Sequence, residues 1–366
     1  MLTRLPLLAA GALALAAAPP AAAQENVQLY GRLNVALEAL HSSGSGDSVQ
    51  RVSNNRSVLG FRGSEDLGGG WQALFQVEGT LAPDTGAGSI AARDTRVGIA
   101  GPWGTLFGGN WTLPYNSATS ALDPFYPTTA GYMSLMGNGA GASASESNTS
   151  NTSSFDRRQQ NSVHYWTPQW QGWSLRVARG MGEERPASGA HPALTSAALI
   201  YDSGALYATL AQEDHHDYQG RGLTDRGSKL ALAWRVDSAT QLALALESLR
   251  YATPTGELRR RTVYVSATRQ FGRHGLRFGL AHAQSASGDA LESIGTVRAG
   301  AGTGATHATA GYDYQLSKRS SLYAYYTRLA NGRNGIADFA INSLGRDAGS
   351  KGATMSGMAL GIRHNF

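Results

Sequence analysis

The sequence has no cysteine in its 366 residues, and only 16% of them are charged. The first absence excludes a disulfide framework and any thiolate metal site. The second falls well below the ~25% of ordinary soluble domains. After Ala23 there is no apolar run of 18 residues, so no helix of this chain can span a bilayer. A third lack is local. From Leu113 to Phe155 the chain shows no sustained apolar period of 2 or 3.6 over 43 residues, against ~4–6 for an ordinary connection. With Asp156 this makes a loop, 113–156, between strands.

What is present points to export. Residues 1–23 carry Arg4, an apolar run from Leu5 to Ala18, and Ala21-Ala22-Ala23 ahead of Gln24, the layout of a cleaved secretory signal. The mature chain is then 24–366. The 31 basic and 26 acidic residues become 30 − 26 = +4 once Arg4 is lost, a mild excess.

From Val27 the pattern is period 2. Val27, Leu29, Leu33, Val35 and Leu37 alternate with Gln28, Arg32, Asn34 and Glu38 over a length that crosses a tilted bilayer. The next two segments are RSVLGFRG and WQALFQVEG. Further ones follow near 93–101, 104–112, 157–167, 173–181, 194–203, 205–215, 226–237, 239–251, 259–271, 275–286, 305–317, 320–330 and 352–366, giving 16. Tight links (101–104, 168–172, 202–204, 237–239, 316–320) alternate with long ones (182–193, 216–225, 287–304, 331–351). An even count with this two-beat rhythm predicts an all-β, closed, antiparallel transmembrane barrel with its short turns on the periplasmic side. Aromatics at segment ends, among them Trp71, Trp103, Tyr165, Trp173, Tyr201, Trp234, Tyr251, Tyr264 and Tyr323, fit interfacial girdles. The last segment stops on Phe366 and suits a strand that closes against the first.

With VQLYGRLNV, LGFRGSEDLGGGWQALFQVE, RVGIAGPWGTLFGG, ALDPF, NSVHYWTP and GIRHNF in order along the chain, the sequence resembles the trimeric general porins of Gram-negative outer membranes, of the beta-proteobacterial type. The resemblance implies a homotrimer of 16-stranded barrels in outer-membrane lipid, passing ions and small hydrophilic solutes passively, with no cofactor and no nucleic-acid partner. It also implies that the third external loop, 113–156, folds into the pore. Physics agrees, because 16 strands ~4.8 Å apart and tilted ~45° make a ring roughly 35 Å across, too wide for side chains to fill. The chain departs from relatives at Asn34, Val58 and Gly109-Asn110, where they often carry charged residues, so the lumen chemistry does not transfer wholesale.

Counting the alternation, Arg32, Arg56, Arg62, Arg96, Arg158, Arg176, Lys229, Arg235 and Arg363 point inward, against Glu38, Glu78, Asp94 and Glu247. The loop adds only Asp123 and Glu146. The basic excess predicts a preference for small anions, with Arg56, Arg96 and Arg158 at the constriction opposite Asp123. The plainer alternative is that these arginines pair with acids and tie the loop to the wall. A substrate-specific channel uses the same scaffold. A hydrolase would need a histidine with a serine or acid partner; His164 alone faces inward near the loop, and nothing in the sequence marks its partner. His215-His216-Asp217 reads as a solvated run and not as metal ligands, and the Asn148 and Asn151 sequons as a flexible polar loop.

Overall fold

The computed structural model describes residues 27–139, 145–345 and 349–366. The signal segment 1–23 lies outside them. The strands are β1 (Gln28–Ser42), β2 (Ser48–Asn54), β3 (Ser57–Gly68), β4 (Trp71–Ala82), β5 (Ala87–Ser89), β6 (Thr95–Gly101) and β7 (Gly104–Thr112). After helix α1 (Pro114–Ser120) come β8 (Arg158–Trp166), β9 (Trp173–Gly180), β10 (Ala193–Asp202), β11 (Leu206–His216), β12 (Thr224–Arg235) and β13 (Thr240–Thr253). Then follow β14 (Gly256–Phe271), β15 (His274–Ala283), β16 (Ser287–Gly288), β17 (Ala305–Gln315), β18 (Ser320–Asn331) and β19 (Thr354–Asn365). Both β2 and β3 pair with β1, and both β5 and β6 with β4, so each couple is one interrupted crossing; β16 is a short edge piece on β14. The count is 19 − 3 = 16 crossings, all antiparallel.

The barrel closes where β1 pairs with β19, from Arg32↔Asn365 to Ser42↔Met355. Gly31 and Phe366 exchange both backbone hydrogen bonds at 3.1 Å, completing the seam. A side chain at Gly31 would fall 2.4 Å from the Phe366 ring and 2.7 Å from the Val58 carbonyl oxygen, which is why no larger residue serves there.

Alternation sorts the wall into two faces. On β1, Leu29, Leu33 and Leu37 stand exposed outside while Asn34, Ala36, Glu38 and Leu40 are buried inside. The same exposed apolar band runs through Val97, Ile99, Leu106, Leu199, Leu210, Leu230, Leu246 and Leu360, too much apolar surface for a protein facing water on its outside. Trp71, Trp103 and Tyr165 form a ring series with centroids 5.8 and 5.7 Å apart at the short-turn end. Tyr251, Tyr264 and Tyr323 do not join a girdle; they point inward, fully buried, because the interior has something to bury them against.

That something is the segment between β7 and β8. It is not bare loop: α1 begins at a proline-started turn, and short 3-10 turns occupy Tyr132–Ser134 and Met136–Asn138. Tyr115, Phe125, Tyr132, Met133, Leu135, Met136 and Phe155 are all nearly inaccessible. The inward positions of β12 to β17 explain this, since Ala231, Ala233, Ala243, Ala245, Ala281, Ala283 and Ala305 form one cluster with Leu122, Tyr132, Met133, Leu135 and Met136. Small wall residues leave room for large loop residues, each worth roughly 1.5–3 kcal/mol when buried. The inner face there is therefore a dry docking surface and not a wet lining.

The two-beat rhythm fails once. Between β13 and β14 the loop side carries a tight hairpin at Thr253↔Gly256, so these two strands of 14 and 16 residues rise as a pair. The stretch 336–345 also turns inward: Phe339, Ala340 and Ile341 join the loop cluster, and Ala340 N–H donates to Ser134 Oγ at 3.2 Å.

Candidate functional site

The inserted segment can be followed round the inside of the ring by its hydrogen bonds. Tyr115 N–H donates to Ser196 Oγ on β10 at 3.0 Å, and the Tyr207 hydroxyl of β11 donates to the Ala118 carbonyl at 2.6 Å. Ser266 of β14 donates to the Leu122 carbonyl, Arg277 of β15 to Pro124, and Thr309 of β17 to Ala130. Thr129 Oγ1 then donates to Glu38 Oε1 on β1 at 2.6 Å. Glu38 also accepts from the Tyr325 hydroxyl, Ser53 and Arg51, so it fixes the segment's far turn to the closing seam.

On the return, Gly137 N–H donates to both oxygens of Glu247 at 2.9 Å, which the Tyr115 hydroxyl also reaches. Lys229, wholly buried, pairs with Asp156 and lies 3.7 Å from Glu247. One cation among two carboxylates is held only because hydroxyl and amide donors complete the set.

The opposite arc, β1 to β8, is basic. Arg56 sits at the break between β2 and β3 with φ +54, a turn in which Asn54 Oδ1 accepts from Ser57 N–H. Arg32 Nη2 donates to the Arg56 carbonyl at 2.8 Å, and Arg56 Nη1 donates to the Tyr126 hydroxyl at 3.1 Å. Arg158 Nε pairs with Asp94 at 2.7 Å and its Nη2 with Thr112 Oγ1 at 2.9 Å.

A fourth member, Arg93, escapes the alternation because it stands in the bend between β5 and β6, after Ala91 at φ +62. Its Nε pairs with Glu78 at 2.8 Å, and Asn110, in the bulge of β7, donates to its carbonyl at 3.0 Å. No periodic signal could have placed it. Four guanidiniums face two carboxylates, 4 − 2 = +2. The loop registers this field: burial alone would raise the Tyr126 hydroxyl, yet Arg56, Arg93 and Arg158 outweigh it and bring it below its ordinary value.

The other sequence candidates are elsewhere. Arg96 stacks inside the wall over Phe107, Trp111 and Trp166, 4.7, 4.3 and 5.2 Å from their centroids, with Nε and Nη1 unbonded. Arg62 lies over Tyr30 and donates to Gln28, near the short-turn end. Arg363 sits beside Asn34 and Ser321 in the closing seam. Arg235 pairs with Asp202 and Arg277 with Asp313.

Asp123 is not set opposite Arg56, Arg96 and Arg158. Its carboxylate accepts from Phe125 N–H, Tyr132 N–H and the Tyr264 hydroxyl at 2.8–3.0 Å, turned toward β14 and sealed there. Burial pushes it up to about 6. Glu146 is likewise taken up, by Ser150 and Asn151.

The side readings resolve the same way. Ser162 Oγ lies 2.9 Å from His164 Nε2, a partner the sequence did not mark, but its other contacts are the Gly109 and Gln159 carbonyls, and His164 Nδ1 is unbonded. A histidine with no orienting acid, closed under the Phe107 ring, cannot turn over a substrate. His215 is not solvated: it lies next to last in β11, fully buried, stacked between Phe155 and Tyr218, with Nε2 2.8 Å from Glu213. Asn148 is not part of a flexible tract; it is inaccessible and bonded to Glu184 and the Met181 carbonyl.

Comparisons with known proteins agree with this geometry. Residues 9–334 match the family model described as Gram-negative porin. Outer membrane porin protein 32 of Delftia acidovorans is 26% identical over 366 residues, covering 96% of this chain and 97% of that protein. The major outer membrane protein P.IA of Neisseria meningitidis is 32% identical over 125 residues, covering 29% of this chain and 32% of its own length. Among solved structures, the anion-selective porin from Comamonas acidovorans superposes with a TM-score of 0.76 at 22% identity, over 94% of this chain and 100% of that one. OmpT of Vibrio cholerae in its trimer form gives 0.68 at 13% identity, over 93% and 99%.

Proposed function

The chain belongs to the Gram-negative porin family, as an outer-membrane barrel for passive diffusion and not an enzyme, and from that premise we propose that its open path favours small anions. The carrying observation is the imbalance between spent acids and unspent cations. Glu38, Glu78, Asp94, Asp123, Asp156 and Glu247 are each engaged by donors on the wall or the loop. Among the described residues, no carboxylate lies within ion-pair distance of Arg32, Arg56, Arg62, Arg96 or Arg363. An anion entering between Tyr126 and the β1–β8 wall meets guanidinium donors first, while a cation finds carboxylates already neutralised.

On this reading segment 113–156 is the constriction loop. Arg32, Arg56, Arg93 and Arg158 line the eyelet, Arg96 lies recessed beside it, and Arg62 and Arg363 set the charge of the periplasmic mouth. Asp123 holds the loop in place. The protein assembles as a homotrimer, supported by the family resemblance and by the trimeric form of the structurally similar OmpT. The test is a planar-bilayer recording of the purified protein in a salt gradient. A reversal potential of anion sign with conductance lost in threes is expected; cation sign overturns the preference, and single steps overturn the trimer.

A further inference from the structure

The outer wall carries a second basic cluster that the pore does not use. On β12 the outward residues run Trp234, Leu232, Leu230, Ser228, Arg226; on β13 Leu242, Leu244, Leu246, Ser248, Arg250; on β14 Ala267, Val265, Val263, Arg261, Arg259. Three neighbouring strands thus change from apolar to polar toward the loop side, and all three end in arginine. The register sets Arg226 directly opposite Arg250, Arg250 opposite Arg259, and Ser248 opposite Arg261.

Like charges facing each other across strands are destabilising. The available acids offset only part of this. Asp214 pairs with Arg226 at 2.8 Å, and Glu257 is shared by Arg250 and Arg259, leaving 4 − 2 = +2, with Arg261 paired to no carboxylate among the described residues. The guanidiniums remain about half exposed, at 45–63% for the three paired ones. With Ser248 and Gln284 they line a depression of about 480 Å³.

We propose that this depression binds the phosphorylated headgroup of an outer-leaflet glycolipid of the lipid A type. Short turns face the periplasm, so the loop side is the outer face, and the cluster lies where the apolar band gives way to headgroups. Forked guanidiniums suit phosphate oxygens bidentately. The rows directly below, Leu230, Leu246 and Val263, offer acyl chains a surface. An anionic head joined to acyl chains satisfies both halves of the site; a free anion satisfies one.

The test is native mass spectrometry of the detergent-purified protein titrated with bis-phosphorylated lipid A. Comparators are the same lipid stripped of both phosphates and inorganic phosphate as competitor. The phosphorylated lipid should stay bound, weaken about ten-fold in R250Q/R259Q/R261Q, and resist millimolar inorganic phosphate. Channel conductance should not change, because these side chains point away from the lumen. Equal retention of the stripped lipid, undiminished binding by the triple variant, or displacement by inorganic phosphate would each overturn the proposal. Should the triple variant fail to fold, R261Q alone decides, with a loss of about three-fold expected and none overturning it.

Discussion

Arg56 Nη1 and the Tyr126 hydroxyl meet at 3.1 Å, joining a kink in the barrel wall to the turn of the inserted segment farthest from its roots in β7 and β8. The contact brings loop and wall together on the basic side, whereas the segment's other outward anchors fall on β10 to β17, on Glu38 or on Ala340 and Asn342. Removing it separates selectivity from anchoring.

Replacing Arg32 and Arg56 together by Gln removes two of the four eyelet cations. The reversal potential in a ten-fold KCl gradient should move toward zero, while Y126F, which keeps both charges, should hold its anion sign. Unchanged selectivity in the double variant would take these residues out of the ion path.

Lys229→Met leaves Asp156 and Glu247 facing one another without their cation in a dry site. Breaking a buried pair on one side costs roughly 3–5 kcal/mol. A lowered thermal midpoint and noisier, larger conductance steps should follow, and adding D156N should recover part of the loss. A midpoint equal to the parent's would mean that the segment does not depend on this pair.

The pH response of the loop follows from Asp123, whose carboxyl is pushed up to about 6 by burial, against ~4 in an unfolded chain. Because the folded value is the higher one, its contribution is full below about pH 4 and is lost as pH rises through about 6. The difference in thermal midpoint between the parent and D123N should therefore shrink from pH 4 to pH 6.5. A difference that stays level, or grows, contradicts the buried placement of this carboxyl.

Gly31→Val should impair closure, since the new side chain meets the Phe366 ring at 2.4 Å and the Val58 carbonyl at 2.7 Å. Less of the heat-modifiable folded form should appear on gels, with more trapped by periplasmic protease. Normal yields would show that the seam can shift to accept it.

Where a wall residue obeys period 2, its face was legible: Leu29, Leu33 and Leu37 outward, Asn34 and Glu38 inward. Many strand ends were legible too, at tight turns such as 101–104 and 202–204, but β2 (Ser48–Asn54) lies ahead of the segment read as the second crossing, and β3 runs on to Gly68. The constriction was read only in part. Arg93 lies in a bend where alternation says nothing, and Arg56 is aimed by a positive-φ break that the pattern hides. Asp123 looked available because a carboxylate in an aperiodic stretch carries no mark of the backbone amides it will accept. The Leu-Ala alternation of β12 and β13 did hold a clue. Alanine on an inward face is a socket for something larger, and Met133, Leu135 and Met136 fill it.

The segment's long course along one half of the interior also decides where traffic runs. With the segment docked on β10 to β17, the proposed passage lies off the barrel axis, along the flank from β1 to β8. On that proposal the side chains of this flank set the choice of ion. Substitutions on the covered bank can tune how firmly the filling sits and leave the choice of ion alone.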